Sequence, residues 1–309
     1  MGEVIAVCRS EQKGTRKHNI GSGRLLAGYG LERDAHGGDW HRQISLLGIE
    51  SIEKMRALGA DVVPGDFAEN ITTSGLALTE LPIGTRLRVG GAVVEVTQIG
   101  KECHQGCEIM KQVGQCIMPK EGIFAKVLAD GEAAVGDAVE VWAGFSVGII
   151  TASDKGSRGE REDASAAVIR EMIASIGGAV FDYRVLPDEE ALLADSMADM
   201  ADRIGVTLLL TTGGTGFSPR DVTPEATRRV IEREAPGLPE AMRMETLKKT
   251  PRAMLSRSVA GIRKQTLIVN LPGSPRGVEE CLTVLLPVLP HALEILTGKA
   301  SECARQEGR

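Results

Sequence analysis

What the chain lacks narrows it first. Its start, Met1-Gly2-Glu3-Val4-Ile5-Ala6, has no basic stretch followed by a long apolar run, and no later apolar stretch approaches the roughly 20 residues of a membrane span. A secretory leader and a transmembrane helix are therefore not expected. A basic excess is missing too: residues 1–143 carry 15 basic and 19 acidic side chains, residues 144–309 carry 21 and 23, so the halves contribute −4 and −2 to a net charge of −6. Neither half has the positive field that nucleic-acid phosphates require. Six cysteines (Cys8, Cys103, Cys107, Cys116, Cys281, Cys303) are too few for a disulfide scaffold in 309 residues, and they read as free thiols. No internal repeat and no low-complexity tract is visible. The expectation is a cytoplasmic protein with no nucleic-acid partner and no membrane.

What is present is an ordinary globular composition, 42% hydrophobic and 25% charged, in a chain of 309 residues. That length exceeds what one core usually supports, so two domains are expected. In the first half, glycines cut the sequence into short apolar runs at residues 4–7, 44–47, 87–89, 93–96 and 139–141, a rhythm that predicts antiparallel β structure. The clearest piece is Thr85-Arg86-Leu87-Arg88-Val89-Gly90-Gly91-Ala92-Val93-Val94-Glu95-Val96, where the two glycines supply the positive φ angles of a tight hairpin. In that register Leu87 faces Val94, Val89 faces Ala92 and Arg86 faces Glu95. One face is then apolar and the other carries an ion pair.

Around Trp142-Ala143-Gly144 the texture changes to short apolar strands alternating with helical segments, the signature of an α/β domain. Strands are expected at 146–151, 180–186, 206–211 and 266–271, and helices at 164–176 and 189–204. Another helix opens with Thr223 as its cap and Pro224 as its first residue, and one long helix runs from Ser274-Pro275 toward Leu296. The tail, 299–309, is polar.

Three loops follow predicted strands and precede helices: Ser153-Asp154-Lys155-Gly156-Ser157-Arg158-Gly159, Thr212-Gly213-Gly214-Thr215-Gly216-Phe217-Ser218-Pro219-Arg220-Asp221, and Pro272-Gly273-Ser274-Pro275. Ligands of open α/β sheets gather at such strand ends, where helix N-termini offer unpaired N–H groups and glycines let the backbone approach an oxyanion. Together the loops describe a site for a phosphorylated ligand, although each alone reads equally as a plain turn.

In their joint wording these loops resemble the MogA/MoaB family of molybdopterin-binding proteins. The resemblance rests on Ser153-Asp154, on Thr211-Thr212-Gly213-Gly214-Thr215-Gly216 continuing to Arg220-Asp221-Val222-Thr223-Pro224-Glu225-Ala226, and on Asn270-Leu271-Pro272-Gly273-Ser274-Pro275. The stretch Met254-Leu255-Ser256-Arg257-Ser258 to Gly261-Ile262-Arg263 also looks like the family. It covers residues 145–298 and implies a three-layer α/β domain, a homotrimer, and adenylyl transfer from ATP to the terminal phosphate of molybdopterin with release of pyrophosphate. It further implies that Asp188 and Asp221 are catalytic and hold Mg²⁺. Ser153, Asp154, Thr212, Gly213, Gly214, Thr215, Gly216, Arg220, Pro272, Gly273 and Ser274 would bind the nucleotide and the pterin. The residues themselves leave other readings open. Asp188 stands where a helix cap is expected, Asp221 can brace its loop, Asp163 either caps a helix or faces the pterin, and Arg220 and Arg276 either clamp phosphates or lie in solvent.

The first half, residues 1–142, resembles MOSC domains, β-rich modules of molybdenum cofactor sulfurases and related standalone proteins. The residues that carry this are Gly38-Asp39-Trp40-His41-Arg42-Gln43-Ile44-Ser45-Leu46-Leu47, Gly65-Asp66-Phe67-Ala68-Glu69-Asn70-Ile71-Thr72, and residues 81–84 leading through the hairpin to Cys103. The resemblance implies a β-barrel-like domain in which Cys103, with His104 beside it, carries sulfur or touches the molybdenum or tungsten of the cofactor. A thiolate is the form that does either, and Lys101 and His104 supply the positive charge that favours it. Cys107 and Cys116 depart from the simplest pattern, so Cys103-His104, Cys107 and Cys116 read alternatively as a zinc or iron–sulfur site. Cys8 and Cys281 read as small buried hydrophobes, and His36 and His41 as site residues or as structural histidines.

Both resemblances point to late molybdenum cofactor assembly, by a molybdopterin adenylyltransferase fused to a MOSC domain that binds or sulfurates the cofactor. Molybdenum-insertion and sulfur-donor proteins are the implied partners. A non-catalytic cofactor carrier and a MOSC-based sulfur carrier are the alternatives, and pyridoxal phosphate binding is left open.

Overall fold

The computed structural model describes residues 1–13, 15–100 and 117–298. Lys101, Cys103, His104, Cys107, Cys116 and the tail from residue 299 lie outside the described residues. The chain divides into two compact units between Ala143 and Gly144.

The first unit is built from strands β1 (Gly2–Arg9), β2 (His18–Asn19), β3 (Ser22–Leu26), β4 (Gly30–Leu31), β5 (Ile44–Gly48), β6 (Ile71–Ser74), β7 (Arg86–Val89), β8 (Ala92–Ile99), β9 (Ile123–Ala129), β10 (Gly131–Ala134) and β11 (Ala138–Val141). The order β11-β7-β8-β9-β5-β6-β1 closes on itself through a β1–β11 pairing, while β10, β3 and β4 form a separate sheet. Closure into a barrel removes the unpaired backbone groups that an open edge would expose. Val4, Leu46, Leu87, Val94, Val96 and Val127 fill the interior from alternate strand positions.

The β7–β8 hairpin has the expected register, Leu87 opposite Val94, Val89 opposite Ala92 and Arg86 opposite Glu95. Arg86 Nε lies 3.3 Å from Glu95 Oε2, and Lys126 Nζ lies 3.0 Å from the other oxygen of Glu95. Of the two turn glycines, only Gly90 takes a positive φ, 55°. The turn is held instead by neighbours, because the Gly90 N–H donates to Ala138 O and the Gly91 N–H to Glu132 O. The expectation of antiparallel pairing also needs one correction, since β5 and β6 run parallel. A parallel pair requires a crossover, and helix α1 (Ile49–Ala57) supplies it, burying Ser51, Ile52 and Met55.

This unit buries charge. Lys17 Nζ lies 2.7 Å from Asp34 Oδ2, both side chains being almost inaccessible. Asp34 also accepts hydrogen bonds from the Ser10 and His36 N–H groups. Burial alone would raise the Asp34 carboxyl, but hydrogen bonds from His36 and Lys17 and the Lys17 charge hold it well below the usual carboxylate range. Glu69 behaves oppositely. Burial pushes its carboxyl up, although the Gly65 N–H and the Thr72 hydroxyl donate to it.

The second unit runs β12 (Phe145–Ala152), α2 (Ala164–Ala174), β13 (Gly178–Leu186), α3 (Glu190–Asp199), β14 (Leu208–Thr212), α4 (Thr223–Val230), β15 (Arg233–Glu234), α5 (Gly237–Leu247), β16 (Ala260–Arg263), β17 (Thr266–Leu271), α6 (Pro275–Leu285) and α7 (Leu289–Leu296). Its sheet has the order β13-β12-β14-β17-β16-β15. The first four strands are parallel, β16 runs against them, and β15 runs against β16. Leu208 and Leu210 face a core shared with α2, α6 and α7, whereas Leu209 between them faces a core shared with α3 and α4. Successive strand residues are thus buried on opposite faces, which makes a three-layer α/β domain.

Three local expectations are corrected. The last helix is two, α6 and α7, because Pro287 has no N–H with which to continue the first. The helix expected at 189–204 keeps its span but not its pitch, since α3 ends at Asp199 and a π-helical turn over Met200–Ile204 carries it on to Gly205, φ 72°. Thr223 does not cap α4. Val222 occupies the cap position, and the Thr223 hydroxyl instead donates to Gly213 O at 3.0 Å.

From β12 the chain turns to β13 on one side and then returns to β14 on the other. The loops leaving β12 and β14 therefore diverge, and a crevice opens at the carboxyl ends of these strands.

Candidate functional site

The loop after β12 makes one helical turn, Asp154–Ser157, capped by the Ser153 hydroxyl, which accepts from the Gly156 N–H at 3.0 Å. The loop after β13 is laced to it reciprocally. The Asp154 N–H donates to Asp188 Oδ2 and the Asp188 N–H to Asp154 Oδ1, each at 3.1 Å. Asp188 is therefore not the cap of α3, whose cap position is Glu189 with no side-chain hydrogen bond.

After β14, Gly213 and Gly214 both take positive φ, 92° and 62°. A Cβ on Gly213 would strike the Ala152 carbonyl, and one on Gly273 would come within 3.2 Å of Gly213 Cα. The loops after β14 and β17 thus pack backbone against backbone, and glycine is required at Gly213, where φ is positive and a Cβ would meet the Ala152 carbonyl. Hydroxyls fasten the crossing: Thr212 Oγ1 donates to Pro272 O at 2.7 Å, and Ser165 Oγ to Gly273 O at 3.0 Å. Ser274 caps α6, its hydroxyl accepting from the Gly277 N–H.

Around this crossing lies a cleft of about 400 Å³, lined by Ser153, Thr212, Gly213, Gly214, Gly273 and Ser274 together with Asp188 and Asp221. Thr215, Gly216 and Pro272 line a neighbouring cleft of about 630 Å³ with Arg243, Lys249, Arg252 and Arg276, and Ser274 borders both. Asp154 is held by Arg220, whose Nη2 and Nε lie 2.7 and 3.2 Å from the two carboxylate oxygens. Arg276 pairs with Glu280 at 3.0 Å. The MOSC candidates Cys103 and His104 lie outside the described residues.

Charge in the first cleft is unbalanced. Burial raises the Asp188 carboxyl above the usual range, the Asp154 N–H opposes this, and the negative charges of Asp154 and Asp221 add to the rise. Asp154 is lowered by its hydrogen bond from Arg220. The Asp221 carboxylate accepts from the Ser218 N–H at 2.9 Å. Asp163 is the cap of α2, accepting from the Ala166 N–H, and its other oxygen takes the Thr151 and Tyr183 hydroxyls. Its carboxylate is thereby occupied.

Several contributors here have no signal in the linear sequence. The Thr223 hydroxyl and Ser165 join the crossing only after folding, and Arg161 and Glu162 line the first cleft from the exposed approach to α2. In the first unit His36 Nδ1 lies 3.4 Å from Asp34 Oδ1 and His41 Nε2 3.2 Å from Gln98 Oε1. Cys8 and Cys281 are both buried, and burial pushes their thiols up to about 12 and about 11. Among the described residues no group of three or more His, Cys, Asp or Glu side chains could hold a metal ion, and no helix is long and apolar enough to cross a membrane.

A closed β-barrel followed by a three-layer α/β sheet with glycine loops crossing at its strand ends defines a protein of two distinct domains, and each has its own family match. Residues 32–140 match the MOSC domain, and residues 148–291 match the "probable molybdopterin binding domain". The chain is 42% identical to the molybdopterin adenylyltransferase of Helicobacter pylori J99 over 154 residues, 49% of this chain and 88% of that protein. It is 42% identical to the Escherichia coli K12 molybdopterin adenylyltransferase over 172 residues, 51% of this chain and 88% of that protein. The crystal structure of the molybdopterin biosynthesis enzyme MoaB from Thermus thermophilus is 54% identical, covering 51% of this chain and 99% of that one, with a TM-score of 0.49. Through its second domain the chain belongs to the MogA/MoaB family, carrying a MOSC domain ahead of it.

Proposed function

We propose that the second domain transfers AMP from ATP to molybdopterin. A terminal phosphate oxygen of molybdopterin attacks the α-phosphorus of ATP, a new P–O bond forms, and the bond to the β-phosphate breaks to release pyrophosphate. A phosphate monoester is already nucleophilic at neutral pH, so the work left to the protein is positioning and charge neutralisation. The observation that carries this reading is the convergence of Asp188 and Asp221 on a cleft whose floor is the Gly213–Gly273 crossing.

Each loop has a part in it. The backbone of Gly213 and Gly214 and the N-terminus of α6 at Ser274 offer room and N–H groups to phosphate oxygens. The cations of the neighbouring cleft, Arg243, Lys249, Arg252 and Arg276, suit the anionic remainder of the two substrates. The donor set also fits Mg²⁺. Carboxylates are its preferred ligands, and Asp188, raised chiefly by burial, also feels the negative charges of Asp154 and Asp221, which a divalent cation would offset. Asp188 and Asp221 would hold the ion, which would neutralise charge on the triphosphate. The MOSC domain would bind or sulfurate the cofactor.

The direct test supplies the full chain with molybdopterin, Mg²⁺ and α-labelled ATP. Labelled adenylyl-molybdopterin and pyrophosphate are expected, with Asp188→Asn and Asp221→Asn each lowering the rate by on the order of 100-fold or more. Tight pterin binding without turnover, unchanged in both variants, would identify a carrier instead.

A further inference from the structure

The geometry points to Arg257 as a positioning residue that holds Asp221 and the glycine-rich loop before it in their working arrangement. This rests on the adenylyl-transfer reading. Arg257 lies 36 residues from Asp221 in sequence and lines neither cleft. Its backbone N–H donates to Thr215 O at 3.0 Å, which sets the 256–258 segment alongside the loop that follows β14. Its guanidinium then donates in three directions. Nε reaches Gly216 O at 2.7 Å, Nη2 reaches the carbonyl of Asp221 itself, and Nη1 reaches Glu225 in the first turn of α4.

Those acceptors bracket the loop. Gly216 and Asp221 are its two ends, and between them Phe217, Ser218, Pro219 and Arg220 are exposed, Phe217 by 68%. An exposed segment of this kind has little packing with which to oppose its own conformational entropy. Fixing both end carbonyls to one rigid, planar cation replaces that packing, and the Glu225 carboxylate balances the charge. The Asp221 side chain is then directed by two constraints, its carbonyl on Arg257 and its carboxylate on the Ser218 N–H. Lysine has a single ammonium point and cannot span three oxygens at separate places in the chain.

The test uses the full chain and two independent readouts. In Arg257→Lys and Arg257→Ala, kcat for adenylyl transfer is expected to fall by on the order of 100-fold while KM for ATP moves by less than about threefold, because misplacement of about 1 Å costs rate more than affinity. Added guanidinium ion should restore part of the kcat of Arg257→Ala and none of that of Asp221→Asn. Hydrogen exchange at the Ser218 and Asp221 amides should accelerate, with β14 and α4 keeping wild-type protection. Glu225→Gln removes only the tie to α4, so it serves if the alanine variant does not fold, and it should shift both readouts less and in the same direction. Wild-type kcat and wild-type exchange in Arg257→Lys would overturn the assignment, as would exchange rising uniformly through the domain. If the wild-type chain makes no adenylyl product, the reaction reading falls, and the exchange pattern still decides whether Arg257 holds the loop.

Discussion

The Lys17–Asp34 pair of the barrel and the carboxylates at the rim of the α/β sheet treat charge in opposite ways. In the barrel, the Asp34 charge is buried and answered locally, since Asp34 receives Lys17 and two backbone N–H groups with almost no exposure. At the rim of the α/β sheet, the negative charges of Asp154 and Asp221 both act on Asp188, and the exposed Arg220, paired with Asp154, offsets them only in part. A buried pair that is fully hydrogen-bonded serves to hold a fold in one arrangement. Neighbouring carboxylates left at odds cost the folded chain something, and a cation arriving between them would recover that cost.

Three substitutions sharpen this contrast. The largest effect is expected for Asp34→Asn, which leaves Lys17 buried without its counter-charge. The barrel should lose about 3–5 kcal/mol, read as a lower urea midpoint. An unchanged midpoint would mean that the pair is ornamental.

A smaller effect of opposite sign is expected for Asp188→Asn. The Asp188 carboxyl titrates higher in the folded chain than in the unfolded one, so its contribution to stability is complete at low pH and is lost as pH rises through the folded value. At neutral pH the asparagine variant should therefore be as stable as the wild type or more so, and the difference should vanish below about pH 4 in thermal unfolding. A clear loss of stability at neutral pH would place Asp188 among structural groups like Asp34. The smallest effect belongs to Arg220→Ala. Removing an exposed ion pair should leave the melting temperature where it was and change KM for ATP by no more than about fivefold.

Periodicity and turn chemistry made the regular parts of both domains legible. The 86–95 hairpin was readable to the residue pair, because alternation leaves a strand only one register that buries Leu87, Val89 and Val94 together. Ser274 as the cap of α6 followed from Ser-Pro at a strand exit. What escaped depends on contacts between distant segments. Thr223-Pro224 reads as a cap and first turn, but the threonine hydroxyl is claimed by Gly213 across the loop. The parallel β5–β6 pair hides in runs that look like any antiparallel strand, since pairing direction leaves little trace in so few residues. At the site, the glycine loops were visible as wording, whereas the lacing of Asp154 to Asp188 and the grip of Arg257 on Asp221 require the fold to bring them together.

The closure of the barrel reaches beyond its stability. Gly2 on β1 pairs with Val139 on β11 and Glu3 with Ala138, so this domain's first and last strands are neighbours. The polypeptide enters and leaves the module side by side. A unit with that property can be permuted, or inserted into a loop of another chain, without rerouting any strand inside it.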